Sequence, residues 1–185
     1  LHQPGSALEP GRIYDSNRFT LMGLLEELGV ELIDLGTIRD DRASIKAALL
    51  DAAGRADAII SSGGVSVGEA DFVKQLLDEI GEVVFWKIAM KPGKPLAYGK
   101  IGGSHFFGLP GNPVAVMVTF MQFVRDALRV LMGQQPQPPL EFQAVSTSRI
   151  RKAPGRMEFQ RGILGRNEHN ELVGRTTGEQ GSGIL

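Results

Sequence analysis

The sequence contains no cysteine, which excludes disulfide bonds and thiolate metal sites and is typical of a protein from a reducing compartment. It has almost no net charge: the formal charge is -1 at pH 7, so no global field draws the chain to nucleic acid or to an acidic membrane. No apolar run reaches the roughly 20 residues that a membrane-spanning helix needs, and the first residues do not resemble a signal peptide. We therefore expect a cytoplasmic protein with no nucleic-acid or membrane partner.

What the sequence does contain is an alternation of strand, loop and helix signals. Apolar residues at helical spacing predict helices over 19–28, 42–53, 72–80 and 114–132, and strand signals occur at 30–35, 56–61, 82–90, 96–100 and 105–109. The last two strands predict a hairpin around Gly102 and Gly103. This alternation predicts an α/β fold of three layers, with a mostly parallel sheet and helices on both faces. The final helix is apolar on nearly all sides, which predicts burial between layers or at a subunit interface.

The composition changes at residues 133–139, where glycine, glutamine and proline dominate, and the periodicity beyond this segment is two. We interpret the segment as a linker between an α/β domain over 1–135 and a second domain over 136–185. Short antiparallel strands are predicted at 142–148, 157–164 and 171–175. Three such strands cannot bury both faces or close their own edges, so we expect the second domain to be partial.

The stretch SSGGVSVGEADF, residues 61–72, places three glycines within six residues directly after a predicted buried strand. Ligands of open α/β sheets bind beyond the carboxyl ends of the strands. Glycines there let backbone N–H groups approach an oxyanion at the start of the next helix. The candidate cradle residues are Gly63, Gly64, Ser66 and Gly68. Neither a P-loop nor a dinucleotide fingerprint is present, so a tight turn from strand to helix remains the alternative.

Two carboxylates, Asp40 and Asp71, follow predicted strands and should lie at the same edge of the sheet. Together they could hold a hydrated Mg²⁺ ion that bridges to phosphate oxygens, because this ion prefers oxygen ligands and keeps several waters. The alternative is that they cap helices, as aspartates often do. For Asp41 and Glu69 we favour capping.

Three lysines cluster around a Pro-Gly turn: Lys87, Lys91 and Lys94. Lys87 also interrupts an apolar predicted strand, where an unpaired charge is costly. A second rigid turn follows at Pro110, and its Asn112 could either cap the long helix or bind a ligand. Taken together, the loops predict a site for a phosphorylated, multiply anionic small molecule, with a divalent metal ion.

Five segments, in this order along the chain, resemble the molybdopterin molybdenumtransferase family, which is MoeA in bacteria and the E domain of gephyrin in animals. They are IYDSN at 13–17, IRDD at 38–41, SSGGVSVGEADF at 61–72, KPGKP at 91–95 and GLPGNPV at 108–114. The QGS segment at 180–182 also resembles the family's last, β-barrel domain. The resemblance implies a MogA-like molybdopterin-binding domain over 1–135 and a partial C-terminal barrel over 136–185. Because a first strand and a Thr-Gly-Asp-Glu type loop precede the position of Leu1 in the family, we expect the first strand to be missing here.

The resemblance implies insertion of molybdenum from molybdate into adenylylated molybdopterin, with release of AMP and assistance by Mg²⁺. By analogy, Asp40 and Asp71 would handle the metal and the phosphoanhydride, while Lys87 and Lys91 would bind the oxyanion or pyrophosphate. The cradle would be Gly63, Gly64, Ser66 and Gly68, and the pocket wall would include Lys94, Pro110 and Asn112. The implied partners are the anionic pterin substrate, a second copy in a homodimer, and the molybdopterin adenylyltransferase.

Two other functions are compatible with the sequence. The adenylyltransferase that makes the substrate shares the fold, but it resembles TTGGTG at the glycine loop, where this chain has SSGGVSVGEAD. A scaffold that acts through its dimer is the second alternative. The loop chemistry argues against scaffolding as the only role.

Overall fold

The computed structural model describes residues 5, 7, 10, 11, 13–63, 70–85 and 87–181, without the side chains of 70–72 and 85. The helices of this part are α1 (Ser16–Leu28), α2 (Arg42–Ala53), α3 (Ala70–Ile80), α4 (Pro113–Thr119) and α5 (Arg125–Leu131), with a π-helical turn, Phe120–Val124, between the last two. The strands are β1 (Ala58–Ser62), β2 (Glu82–Phe85), β3 (Met90–Lys91), β4 (Ala97–Ile101), β5 (Ser104–Leu109), β6 (Val145–Ser146), β7 (Met157–Glu158), β8 (Gly162–Arg166) and β9 (Leu172–Thr176).

Helices α1 and α2 begin where a side-chain oxygen satisfies a free backbone N–H. Asp15 accepts a hydrogen bond from the backbone of Arg18 at α1, and Asp41 accepts one from the backbone of Ser44 at α2. The predicted capping role of Asp41 is therefore confirmed, whereas Glu69 lies outside the described residues. Gly29 ends α1 in the left-handed conformation, with φ of 71°.

The main sheet has the strand order β1-β5-β4-β2 among the described residues. β1 and β5 are parallel, with Ala58 opposite His105 and Ser62 opposite Leu109, whereas β4 is antiparallel to both β5 and β2. Three of these four described strands therefore run in the same direction, as the predicted mostly parallel sheet requires. The predicted hairpin is present as β4 and β5.

The strand predicted at 30–35 is not formed. The segment runs from α1 back toward α2 without a strand assignment, and Val30 and Leu32 pack against buried core residues. A cavity of about 750 Å³ is lined by this segment and by β1, together with α1 and α2. The segment is therefore separated from β1 by open space over part of its length, and its apolar residues pack against the core without forming a strand.

The apolar side chains form two clusters, one on each face of the sheet. Phe107 belongs to the cluster with α1, α4 and α5, whereas its neighbour Phe106 belongs to the cluster with α2 and α3. Successive residues of a strand point to opposite faces, so this division places a helical layer on each side. The predicted three-layer α/β arrangement is confirmed.

The long helix predicted at 114–132 is present over 113–131, but it contains the π-helical turn. Its core stripe repeats every fourth residue: Val116, Phe120, Val124 and Leu128 are all buried. In the described part of the chain, no helix has the length and apolar character to cross a membrane.

The C-terminal region forms a small sheet of order β6-β9-β8, in which β8 and β9 are antiparallel and β6 is parallel to β9. All five residues of β8 are exposed. β7 instead pairs in parallel with β3 and so joins this region to the α/β part. The whole chain exposes 11904 Å² of surface.

Candidate functional site

The strand directions bring three loops to one edge of the main sheet. β1, β5 and β2 end at this edge, and β4, which runs the other way, begins there. The loop after β1, the Pro110 turn after β5 and the lysine segment between β2 and β4, residues 87–95, therefore meet at this edge, which we call the rim. Neighbouring strands lie about 4.8 Å apart, so the four strand ends span roughly 15 Å.

The start of α1 is fastened to the rim by Asn17. Its Nδ2 atom donates to Ser62 Oγ at 2.9 Å and to the backbone oxygen of Gly111 at 2.8 Å. Thr37 Oγ1 in turn donates to Asp15 Oδ2 at 3.3 Å. Since Asp40 follows Thr37 by three residues, the fourth predicted loop also lies beside the rim.

The described part of the glycine loop is a turn that is bonded to β5. Gly63 has φ of 85°, and its N–H donates to the backbone oxygen of Leu109 at 3.1 Å. This N–H is therefore used within the protein, which supports the turn interpretation at this position. Gly64, Ser66 and Gly68 lie outside the described residues, so their predicted cradle stays a prediction.

The three lysines are all exposed. Lys87 does not lie within a strand, contrary to the prediction, because β2 ends at Phe85 and Lys87 belongs to the segment that follows. Lys91 has a side chain that is 60% exposed, and its Nζ lies 3.8 Å from Glu158 Oε1. The cations thus face solvent at the rim, where an anion can reach them.

The backbone of the lysine segment is held against α4 by Gly93. This residue is buried with φ of 101°, and a Cβ there would lie 2.5 Å from Thr119 Cγ2 and 3.2 Å from Met90 Cε. Only glycine fits both the conformation and the space. The exposed ammonium groups therefore extend from a backbone that is closely packed.

The two predicted metal ligands are placed only in part. Asp40 is exposed directly before the cap of α2, and Asp71 lies in the first turn of α3 with its side chain outside the description. Among the residues whose side chains are described, no group of three or more histidines and carboxylates could hold a metal ion.

Asn112 caps α4, since its Oδ1 accepts from the backbone N–H of Ala115 at 3.1 Å. Of the two roles left open by the sequence, capping is therefore present. The side-chain N–H groups of Asn112 do not take part in this cap and have no partner among the described residues. They lie beside Pro110 at the rim.

Sequence reasoning missed the contacts that join distant segments. Asn17 stands out only as part of the IYDSN segment, and nothing local identifies its partners 45 and 94 residues away. It also missed the ion pair of Arg18 and Asp34, whose closest contact is 2.5 Å. The hydrogen bond from Arg18, followed by one from the backbone of Gly36, lowers the pKa of Asp34 below its ordinary value of 3.8.

A three-layer α/β fold with loops meeting at the carboxyl ends of its strands belongs to the class of domains that bind small molecules at that edge. Residues 4–130 match the family described as "Probable molybdopterin binding domain", and the chain belongs to this family. Residues 143–185 match the MoeA C-terminal region, domain IV.

Similar proteins carry consistent names. The chain is 49% identical to the molybdopterin molybdenumtransferase of Haemophilus influenzae over 100% of its own length and 46% of that protein. It is 38% identical to molybdopterin molybdenumtransferase 2 of Mycobacterium tuberculosis over 89% of its length and 42% of that protein. The crystal structure of a molybdopterin biosynthesis MoeA protein from Pyrococcus horikoshii matches with a TM-score of 0.79 and 31% identity, over 98% of this chain and 43% of that one. The chain thus spans less than half the length of these relatives.

Proposed function

We propose that this chain forms the molybdopterin-binding part of a molybdenum cofactor biosynthesis enzyme. The proposed reaction is a transfer: molybdenum from molybdate is inserted into adenylylated molybdopterin, and AMP is released. The observation that carries this proposal is the meeting of three loops at one sheet edge. The matched family and relatives named molybdopterin molybdenumtransferase support the substrate class.

In this proposal, Lys87 and Lys91 bind the oxyanion or pyrophosphate, and Lys94 contributes a third positive charge. Three exposed lysines within one short segment suit a substrate whose phosphates and molybdate are multiply negative. The backbone of Pro110 and the side-chain N–H groups of Asn112 form the neighbouring wall. The cradle of Gly63, Gly64, Ser66 and Gly68 completes the phosphate site as a prediction.

We assign Asp40 and Asp71 to Mg²⁺. Their carboxylate oxygens fit this ion, and Mg²⁺ is usually bound through one or two carboxylates together with substrate phosphates, so a protein cage of three ligands is not required. When bound, the ion would neutralise charge that develops on the phosphoanhydride. The chain's own part is to hold these two carboxylates at the rim.

We further propose that the protein acts as a cytoplasmic homodimer that receives its substrate from the adenylyltransferase. Exposed apolar side chains at the end of the long helix support a dimer contact: Val130, Leu131 and Met132 are between 42% and 53% exposed.

The proposal is tested by measuring AMP release from adenylylated molybdopterin by the full-length enzyme, with molybdate and Mg²⁺. We expect Asp71→Asn to lower the rate by about 100-fold or more, as the loss of an essential carboxylate does. Asp78→Asn, an exposed change farther along the same helix, is the matched control and should leave the rate unchanged. Full AMP release by the Asp71 variant would contradict the assignment.

Two other results would identify a different function. Consumption of ATP with molybdopterin would identify an adenylyltransferase. If calorimetry detects no binding of AMP, molybdate or Mg²⁺ to the full-length protein, scaffolding becomes the better explanation.

A further inference from the structure

The C-terminal region holds the backbone that carries Lys91. The N–H of Met157 donates to the backbone oxygen of Ala89 at 2.9 Å, and the N–H of Phe159 donates to that of Lys91 at 2.8 Å. These bonds form the short parallel pair of β3 and β7. One face of the lysine segment is therefore packed on α4 through Gly93, and its edge is bonded to a strand more than 60 residues later in the chain.

Glu158 lies between those two backbone bonds, and its side chain is only 9% exposed. Its Oε1 lies 3.8 Å from Lys91 Nζ, and its Oε2 accepts a long hydrogen bond of 3.4 Å from Gln160 Nε2. A nearly buried carboxylate is costly unless a cation or donors compensate it. Lys91 is the cation closest to it in the described part of the chain.

We propose that Glu158 is a positioning residue for Lys91: from the C-terminal region, its carboxylate holds the ammonium group of Lys91 at the rim, ready for an anionic substrate. This inference rests on the proposed function. It gives the C-terminal region a direct part in the site, because both the backbone and the ammonium group of Lys91 contact β7.

The physical reason is the freedom of the lysine side chain. A 60% exposed lysine samples many rotamers, and an anion that binds it must restrict them. The carboxylate of Glu158 excludes some of these lysine rotamers before the substrate binds. Substrate binding then removes less side-chain entropy. If repulsion between Glu158 and the substrate anion were the larger effect, the carboxylate would weaken substrate binding instead.

Competitive amine acetylation tests the contact itself. Lys91 is compared with Lys94 in the same molecule by mass spectrometry, in the wild-type chain and in Glu158→Gln. We expect the Lys91 to Lys94 labelling ratio to rise about two- to fivefold, the factor that a partly exposed ion pair is worth. Glu171→Gln is the matched control, because Glu171 lies in the same region and bonds to Asn167. An unchanged ratio in Glu158→Gln would overturn the proposal.

Calorimetric titration with AMP tests the positioning role. We expect Glu158→Gln to bind AMP about two- to fivefold more weakly than the wild type. Tighter binding by the variant would overturn the proposal, because it would mean that Glu158 repels the anion. If Glu158→Gln does not fold, Glu158→Asp replaces it, because the shorter aspartate side chain moves the carboxylate away from Lys91. We expect this variant to raise the labelling ratio and to weaken AMP binding. If neither quantity changes, the proposal is overturned. If labelling changes as expected while the wild-type enzyme releases no AMP, the contact stands and the proposed function fails.

Discussion

The ion pair between Arg18 and Asp34 fixes the return of the chain after α1. Arg18 Nε lies 3.0 Å from both carboxylate oxygens of Asp34, and Oδ1 also accepts from the N–H of Gly36 at 2.9 Å. Because segment 30–35 has no strand ladder, these bonds are the specific contacts that place its end beside α1.

The ion pair of Arg18 and Asp34 should make the stability of the protein depend on pH. The pKa of Asp34 is lowered in the folded protein, so its contribution is fully present above the ordinary pKa of 3.8 and is lost as the pH falls through the lowered value. We expect Asp34→Asn to be less stable than the wild type near neutral pH, and the difference in unfolding free energy to shrink in acid. Urea unfolding across this pH range measures the difference, and a difference that is constant with pH would contradict the prediction.

Gly93 should be intolerant of any side chain. Gly93→Ala would combine an unfavourable left-handed backbone with a contact of 2.5 Å to Thr119, and we expect a loss of about 2–5 kcal/mol of unfolding free energy. The control is Gly103→Ala, where a Cβ would meet nothing within 4 Å, and its effect should stay within about 1 kcal/mol. Chemical denaturation measures the unfolding free energy of both variants. Equal values would contradict the prediction, because they would show that residues 87–95 can move to make room for the added Cβ.

At the scale of single elements, local signals were sufficient for the helices and the hairpin. Asp41, Gly29 and the apolar spacing of α1 and α2 act within a few residues, so the sequence shows them directly. A strand needs a partner that is distant in sequence. Segment 30–35 has the right pattern but no ladder, and the predicted strand at 82–90 is formed only as β2 and the start of β3, because the described residues 87–89 between them carry no strand assignment.

The π-helical turn could not be predicted from a simple helical period. Buried residues four apart drift by about 40° per step in a regular α-helix of 3.6 residues per turn. The extra residue of a π turn takes up this drift and keeps Val116 and Leu128 on the same side. The length of the helix was readable from the sequence, but its irregular turn depends on packing.

At the scale of the whole molecule, the sequence predicted which loops meet at the rim but not how they are joined. The strand directions follow from the α/β pattern, and they alone bring residues 63, 87–95 and 110–112 to one edge. The joining contacts are made by side chains at distant positions, such as the hydrogen bond from Asn17 to Gly111 and the ion pair of Glu158 and Lys91. The domain boundary at residue 135 stays a prediction.

The exposed surface has a consequence for the hydrodynamic behaviour of the chain. A compact monomer of 20.0 kDa exposes about 8,700 Å², whereas this chain exposes 11904 Å², with β8 open to solvent along its whole length. We expect the 185-residue chain to sediment more slowly than a sphere-like protein of its mass, with a raised frictional ratio in sedimentation velocity experiments at low concentration. A frictional ratio typical of compact spheres would mean that the C-terminal sheet folds back onto the rest of the chain in solution.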